Sequence, residues 1–230
     1  MKVSAEYLSQ NESFAALSPN IQETIAQKAT WAEYPAKDDL FRQGDSPSAL
    51  YILQSGRVKL YRQSKGRCQI LSLPAAGDCL GAESLPTGAP NPYSATTLTP
   101  VNAIFLLPDV LQALLDEYPV FQEVFLKLIT DRLKQFVTLV HDLAFRDVTS
   151  RLAMILLSRA EREGLPHDDG VVFDRLLSQQ EFADMVGTAR EVIYRTFKRF
   201  EGDGVIHATR THIVIRDMDA LRAIAFQESR

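Results

Sequence analysis

The spacing of apolar positions changes character twice along the chain. In the first 108 residues short apolar runs alternate with turn residues. Ala49-Leu50-Tyr51-Ile52-Leu53 and the runs 58–61 and 70–73 are rich in β-branched, aromatic and aliphatic side chains, which suit a pleated surface. Every glycine of this region falls between Gly44 and Gly88, at 44, 56, 66, 77, 81 and 88, so most gaps are 10 to 12 residues. That is the turn spacing of a short-strand barrel or sandwich. Ser64-Lys65-Gly66-Arg67 reads as a hairpin turn. The runs 94–99 and 101–107 complete the strand region, which closes at Pro108.

From Asp109 to Glu163 there is no glycine, and Pro119 is the only proline. The apolar period becomes helical: Leu126, Ile129, Leu133, Phe136, Val140 and Leu143 recur at spacings of 3, 4, 3, 4 and 3, the seam of a coiled coil. The pattern predicts one helix over about 119–144. Phe121, Phe125, Leu128 and Val137 lie off that seam, so the helix has two apolar faces and calls for two neighbours, its own barrel and a parallel second copy. A second helix over 148–163 follows, with Asp147 as N-cap and Gly164 and Pro166 as its stop. The segment 165–170 reads as a polar loop. The expected organisation is a barrel domain over 1–118, a dimerisation helix over 119–146 and a second domain over 147–230.

The third pattern lies between Ser178 and Gly204. Ser178-Gln179-Gln180-Glu181 and Thr188-Ala189-Arg190-Glu191 both have the form of a capping box. Two capped helices separated by Gly187 and its neighbours predict a helix–turn–helix. Phe182, Met185 and Val186 on the first helix, with Ile193, Phe197 and Phe200 on the second, are spaced to bury against each other. Glu191, Tyr194, Arg195 and Lys198 then share the free face of the second helix, with Arg190 at its start. An arginine fork can bridge guanine O6 and N7, a carboxylate can accept from cytosine N4, and Lys198 can neutralise phosphate. Thr188, Ser178 and Gln180 complete the expected DNA-contact set. A short hairpin over 205–215 turns at Thr209-Arg210-Thr211, so the motif is winged. His207 and His212 flank that turn and suit solvent or phosphate better than metal.

Composition narrows the chemistry. The chain has 230 residues, 46% of them hydrophobic, and a net charge of −4. It can bury real cores, and it cannot coat nucleic acid with a uniformly basic surface, so DNA binding must be focal. Two cysteines, Cys68 and Cys79, are too few for a disulfide scaffold or a four-cysteine iron–sulfur centre. All four histidines lie at 141 or beyond, which excludes a histidine-lined metal barrel. No charged-then-apolar leader or long uncharged apolar run is visible, so the cytoplasm is the expected compartment, with no membrane partner.

Five elements, in order, carry a family resemblance. They are Phe41-Arg42-Gln43-Gly44-Asp45, the run 50–61 with its central Gln54-Ser55-Gly56-Arg57, and Gly77-Asp78-Cys79-Leu80-Gly81. The run 143–153 with Ala144-Phe145-Arg146-Asp147-Val148 and the winged helix–turn–helix complete them. Over nearly its whole length the chain resembles the family of the cAMP receptor protein and the fumarate–nitrate reduction regulator. The resemblance implies an α+β protein: an N-terminal double-stranded β-helix (jelly-roll, cyclic-nucleotide-binding-like) barrel, a long dimerisation helix and a C-terminal winged helix–turn–helix. It implies a homodimer on a pseudo-palindromic operator in double-stranded DNA, with RNA polymerase as a further expected partner. In the family's pattern the arginines read guanine and the glutamate reads cytosine, which Arg190, Glu191 and Arg195 match. Tyr194 stands where relatives commonly carry a small residue.

The resemblance also places an effector pocket at Gly81, Ala82, Glu83, Tyr93, Ser94, Phe136 and Val137. Tyr93 stands where cyclic-nucleotide members carry the arginine that neutralises the phosphate, and Phe136 and Val137 replace their adenine-contacting hydroxyls. A cAMP effector is therefore not expected. Haem remains open, with Cys79, His141 or the N-terminus as axial ligand, as does a redox switch between Cys68 and Cys79. The expected function is a sequence-specific, homodimeric DNA-binding regulator whose barrel signals through the dimer helix. One alternative is an effector-independent regulator with a self-filled barrel. The other is a ligand-binding barrel protein whose C-terminal helices mediate protein contacts.

Overall fold

The computed structural model describes residues 3–227. The chain divides into two units after Phe136, inside the long helix rather than at 145–147, where the sequence pattern sets the boundary.

The first unit opens with helices α1 (Ala5–Gln10) and α2 (Pro19–Lys28) and strands β1 (Thr30–Tyr34) and β2 (Asp39–Phe41). Strands β3 (Leu50–Ser55), β4 (Val58–Ser64), β5 (Arg67–Ser72), β6 (Cys79–Leu80), β7 (Ser94–Thr97) and β8 (Val101–Leu106) follow. Helix α3 (Pro108–Glu117) and the first part of α4 (Pro119–Phe145) complete it. The strands form two four-stranded sheets in the orders β1-β8-β3-β6 and β2-β7-β4-β5, and every pairing is antiparallel. Lys65 and Gly66, at φ 50° and 75°, make the tight β4–β5 turn that the sequence predicts.

Strand β3 explains why the apolar run at its centre has no polar alternation. Leu50 and Ile52 face a core shared with Phe14, Ile25, Leu114 and Phe121 of the helices. Tyr51 and Leu53 face a second core between the sheets, with Leu60, Tyr93 and Ala103. A strand buried on both faces reads as a continuous apolar run. On α4, Phe121, Val124 and Phe125 enter the helix-side core, while Leu126, Leu133, Val137 and Val140 remain exposed.

The second unit contains α5 (Val148–Glu163), β9 (Leu165–His167), β10 (Gly170–Asp174), α6 (Gln179–Val186), α7 (Arg190–Gly202), β11 (Ile206–Ala208), β12 (His212–Ile215) and α8 (Met218–Ala225). The segment 165–170, expected as a polar loop, is instead the β9–β10 turn region of a sheet ordered β11-β12-β10-β9. Its strand character comes from a local hairpin, His167 pairing with Gly170, Pro166 with Val171 and Leu165 with Val172; β9 is exposed at all three positions and carries no apolar alternation, while β10 pairs on its other edge with β12. At the α4–α5 junction Asp147 accepts from the Ser150 amide at 2.7 Å. Arg151 Nη1 donates to the carbonyls of Arg146, Leu143 and Asp142 at 2.7, 3.2 and 3.4 Å, satisfying groups that a helix end leaves unpaired. These bonds tie the last turns of α4 to α5 within the second unit. Among the described residues no helix is long and apolar enough to cross a membrane.

Gly56 sits at φ +87°, and a Cβ there would lie 2.2 Å from the Pro100 carbonyl oxygen. Gly56→Ala is expected to destabilise the protein by more than about 1 kcal/mol. The effect reads as a lower urea midpoint at unchanged m-value.

Candidate nucleic-acid interface and effector cavity

Between the sheets of the first unit the expected effector positions are mostly filled. Tyr93 is 1% exposed. Its ring lies 5.8 Å from Phe41 and 6.1 Å, edge-on, from Phe136. The Ser94 hydroxyl accepts from the Gln43 amide at 3.0 Å. Gly81 adopts φ +85°, and a Cβ there would meet the Ala49 carbonyl oxygen at 2.6 Å. Two assigned positions do not line this interior. The Ala82 methyl is buried in the helix-side core, and Val137 is 61% exposed, because it lies one residue round the helix from Phe136.

The residue that organises the cavity is Arg132, which the sequence reading missed. It follows Phe121, Phe125 and Leu128 on α4 at helical spacing and is buried at 8% exposure. A lone charge on an apolar, barrel-facing stripe was the available signal. Arg132 Nε donates to Glu83 Oε1 at 3.1 Å, Nη2 to the Cys79 carbonyl at 2.8 Å, and Nη1 to Gln135 at 2.8 Å and Ser72 at 3.3 Å. Among the described residues, Glu83 Oε2 and the Tyr93 hydroxyl are buried without a hydrogen-bond partner. Burial, reinforced by the Glu83 carboxylate, pushes the Tyr93 phenol above its ordinary range.

This donor set does not fit a cyclic phosphate. Arg132, the cation of the cluster, is committed to Glu83, and a phosphate beside Tyr93 would meet a carboxylate. The haem and redox candidates gain no geometry either. Burial pushes the Cys79 thiol up to about 12, so it is not a thiolate near neutral pH. Among the described residues Cys68 and Cys79 are not joined by a disulfide. His141 is exposed in the second unit, 3.3 Å from Asp142 and stacked at 5.2 Å on Phe145. The N-terminus lies outside the described residues. Among the described residues no group of three or more His, Cys, Asp or Glu could hold a metal ion.

In the second unit, α6 begins with the expected capping box. Ser178 Oγ accepts from the Glu181 amide at 3.2 Å and Glu181 Oε2 from the Ser178 amide at 3.0 Å. The Ser178 hydroxyl also donates to Glu181 at 2.9 Å, so its hydrogen is used within the cap. Gly187 ends the helix at φ 75°, ψ 48°, the left-handed conformation that makes the reversal tight. The second capping box does not form. Helix α7 starts one residue later than the pattern suggests, with Ala189 as N-cap and no side-chain cap bond. Thr188 therefore precedes the cap, and the first amides of α7 keep their donors for an outside acceptor, which suits an anion.

Helix α7 separates its faces cleanly. Ile193, Thr196, Phe197 and Phe200 are buried, with Phe197 edge-on to Phe182 at 5.2 Å. Arg190, Glu191, Tyr194, Arg195 and Lys198 are exposed. Gln180 is exposed on α6, where it bonds to Asp184 at 2.8 Å. Lys198 Nζ lies 2.9 Å from Glu201, whose other oxygen accepts from the Ala208 amide at 3.2 Å. Glu201 thus ties the recognition helix to the β11–β12 wing.

The same two-part architecture appears in the family comparisons. Residues 31–118 match the cyclic nucleotide-binding domain, and residues 150–224 match the Crp-like helix-turn-helix domain. The CRP-like cAMP-activated global transcriptional regulator of Mycobacterium tuberculosis is 29% identical over 217 residues, covering 94% of this chain and 97% of that one. The global nitrogen regulator of Synechococcus elongatus is 32% identical over 159 residues, 68% of this chain and 72% of that one. Among solved structures, the c-di-GMP responsive global regulator CLP of Xanthomonas campestris aligns with a TM-score of 0.76 at 25% identity, covering 87% of this chain and 100% of that one.

Removing one partner of the Glu83–Arg132 pair leaves a buried charge. Arg132→Leu is expected to cost about 3–5 kcal/mol, with Glu83→Gln in the same chain recovering part of the loss in urea titrations. Cys79 should resist alkylation at pH 8 in the native protein and react once it is unfolded, as peptide mass mapping would read. With a cyclic-nucleotide-binding-type barrel, a Crp-like helix–turn–helix and relatives that align along both, the chain belongs to the CRP/FNR family of DNA-binding transcription regulators.

Proposed function

We propose that the protein acts as a homodimer in the cytoplasm, reading a pseudo-palindromic operator with one α7 from each copy and contacting RNA polymerase, without catalysing a reaction. The observation that carries this reading is the division of α7, with Arg190, Glu191, Arg195 and Lys198 exposed opposite a buried apolar face. Arg190 and Arg195 are assigned to guanine and Glu191 to cytosine. Lys198 is assigned to phosphate, as are Thr188 and Gln180 near the turn; Ser178 reaches phosphate only by releasing a bond that it gives Glu181 in the α6 cap. Tyr194 faces the base pair whose identity the relatives do not suggest. The exposed apolar stripe of Leu126, Leu133, Val137 and Val140 on α4 supports pairing with a second copy, since such a stripe is costly in water. A signal at the barrel end of α4 would pass along that helix.

An effector-independent regulator is the second reading, favoured by the Tyr93, Phe136 and Arg132–Glu83 filling of the barrel interior. The M. tuberculosis relative is described as cAMP-activated, and this chain lacks a free cation at the corresponding place. Its DNA affinity is expected to be the same with and without cAMP.

Fluorescence anisotropy with a duplex from its own promoter tests the assignment. Arg195→Ala is expected to lose about 1–3 kcal/mol of operator affinity, roughly 10- to 100-fold, while binding unrelated DNA much as before. Equal operator affinity in the variant and the parent would remove Arg195 from the reading set.

A further inference from the structure

The first turn of α5 is bonded to three other helices through three consecutive side chains. The Thr149 hydroxyl accepts from Arg199 Nη2 of α7 at 2.6 Å. The Ser150 hydroxyl lies 3.0 and 3.2 Å from the carbonyls of Ile224 and Gln227, at the end of α8 and just beyond it. Arg151 donates to the last carbonyls of α4. The Asp147 cap on the Ser150 amide holds the turn from which all three bonds are made. Thr149 is half-buried and Arg199 exposed, and the two stand 50 positions apart in the chain.

Arg199 occupies a particular place on α7. At about 100° per residue it lies one turn beyond Arg195 on the flank of the helix. That flank separates the exposed face of Glu191, Tyr194, Arg195 and Lys198 from the buried face of Ile193, Phe197 and Phe200. The buried face holds α7 down through contacts such as Phe197 on Phe182, but apolar burial is non-directional and resists rolling about the helix axis weakly. A roll of about 10° moves a side-chain atom at the helix surface, about 5–6 Å from the axis, by roughly 1 Å. Base-reading groups must be held to within about 0.5 Å. A directional bond from the flank supplies that restraint. The Arg199 guanidinium carbon also lies 5.8 Å from the Phe200 ring centroid, so the side chain is held from two directions.

We propose that Arg199 is a positioning residue for base recognition, and that its bond to Thr149 fixes the roll of α7 against the first turn of α5 and with it the place of Arg195. The inference rests on the DNA-binding reading and adds two residues to which that reading assigns no contact with DNA. Without the bond, α7 must settle its roll at the moment it meets the operator, which costs operator affinity. Phosphate contacts on an unrelated duplex carry no sequence information and tolerate that freedom. The bond therefore serves discrimination rather than affinity for DNA in general.

The test is fluorescence anisotropy with the full chain on its operator and on an unrelated duplex, each over a salt series. Thr149→Val keeps the shape of the side chain and loses the hydroxyl. It is expected to lower the ratio of operator to unrelated affinity by about 3- to 10-fold per subunit, the contribution of one hydrogen bond, with the salt slope unchanged. Thr149→Ser retains the hydroxyl and is expected to keep the parent's ratio. Arg199→Met should lose the same discrimination, and adding Thr149→Val to it should cost nothing more, because both remove one bond. Parental discrimination in Thr149→Val would overturn the inference, as would an equal loss in Thr149→Ser. Weakening of both duplexes alike by Thr149→Val would make Thr149 a backbone contact and overturn it too. A salt slope lower by about 0.9 per subunit in Arg199→Met, with the affinity ratio unchanged, would assign Arg199 to a phosphate and likewise overturn it. In each of these cases, operator binding by the parent and its loss in Arg195→Ala leave the DNA-binding reading standing. No salt-sensitive binding by the parent to either duplex would sink both.

Discussion

A guanidinium taken out of water must find acceptors on every side, and much of the first unit follows from how Arg132 meets that demand. Its acceptors come from the Glu83 carboxylate, the Cys79 carbonyl, the Ser72 hydroxyl and the Gln135 amide oxygen, so α4 is bonded to both sheets from one side chain. The same network consumes the cavity's charge. Glu83 has its cation, Tyr93 fills the space beside it, and Phe136 closes against the Tyr93 ring. A barrel of the cyclic-nucleotide-binding type thereby loses the electrostatic feature that a cyclic phosphate needs. A buried pair of this kind is weak evidence for extra stability, because desolvation offsets most of the attraction. Its clearer consequence is geometric, since the pair sets where α4 lies against the barrel.

The second unit solves a different problem, which is to hold a charged helix face in water while anchoring its back. Phe197 and Phe200 supply the anchor, and the edge-on contact of Phe182 with Phe197 sets the helix–turn–helix angle. Polar bonds then hold the wing, one to α7, one to the segment before α6 and one within the wing turn itself. Arg175 donates to Thr209, Glu201 accepts from Ala208, and Thr209 Oγ accepts from the His212 amide at 3.0 Å. Base-reading groups need such support, because an arginine fork discriminates only when its backbone is held in register.

The periodic and capped parts of this architecture were legible in the sequence, and the parts without an apolar period were not. The 3-4 spacing on α4, the β4–β5 turn, the Asp147 cap and the Ser178 capping box depend on neighbours within a few residues. Strand β9 is a three-residue edge strand, exposed throughout, that pairs with β10 across a short turn, so 165–170 has no apolar alternation and reads as a loop; β10 pairs in addition with β12 some 40 residues away (Val172 with Val214). The Thr188 box failed for a local reason: the αL turn at Gly187 delays the helix start to Arg190, and the threonine falls outside the cap. Ala82 and Val137 were assigned by alignment to a family pattern, which carries position along the chain but not the rotation of a side chain about its element. The reading face of α7 was visible because helical periodicity alone separates Ile193, Phe197 and Phe200 from Arg190, Arg195 and Lys198.

Charge completes the connection between the two units' chemistry. The chain is acidic overall, at −4, yet Arg190, Arg195, Lys198 and Arg199 all lie on α7, with Arg175 and Arg210 beside it. Glu201 offsets Lys198 locally, and Glu191 is itself a candidate base acceptor, so the local excess of positive charge on α7 rests on few side chains. A net negative charge on the whole chain opposes indiscriminate adhesion to a polyanion. Specificity then rests on few side chains, and each must be placed accurately. That requirement gives a role to Glu201, an acid on a DNA-facing helix, whose bond to the Ala208 amide holds the wing against α7.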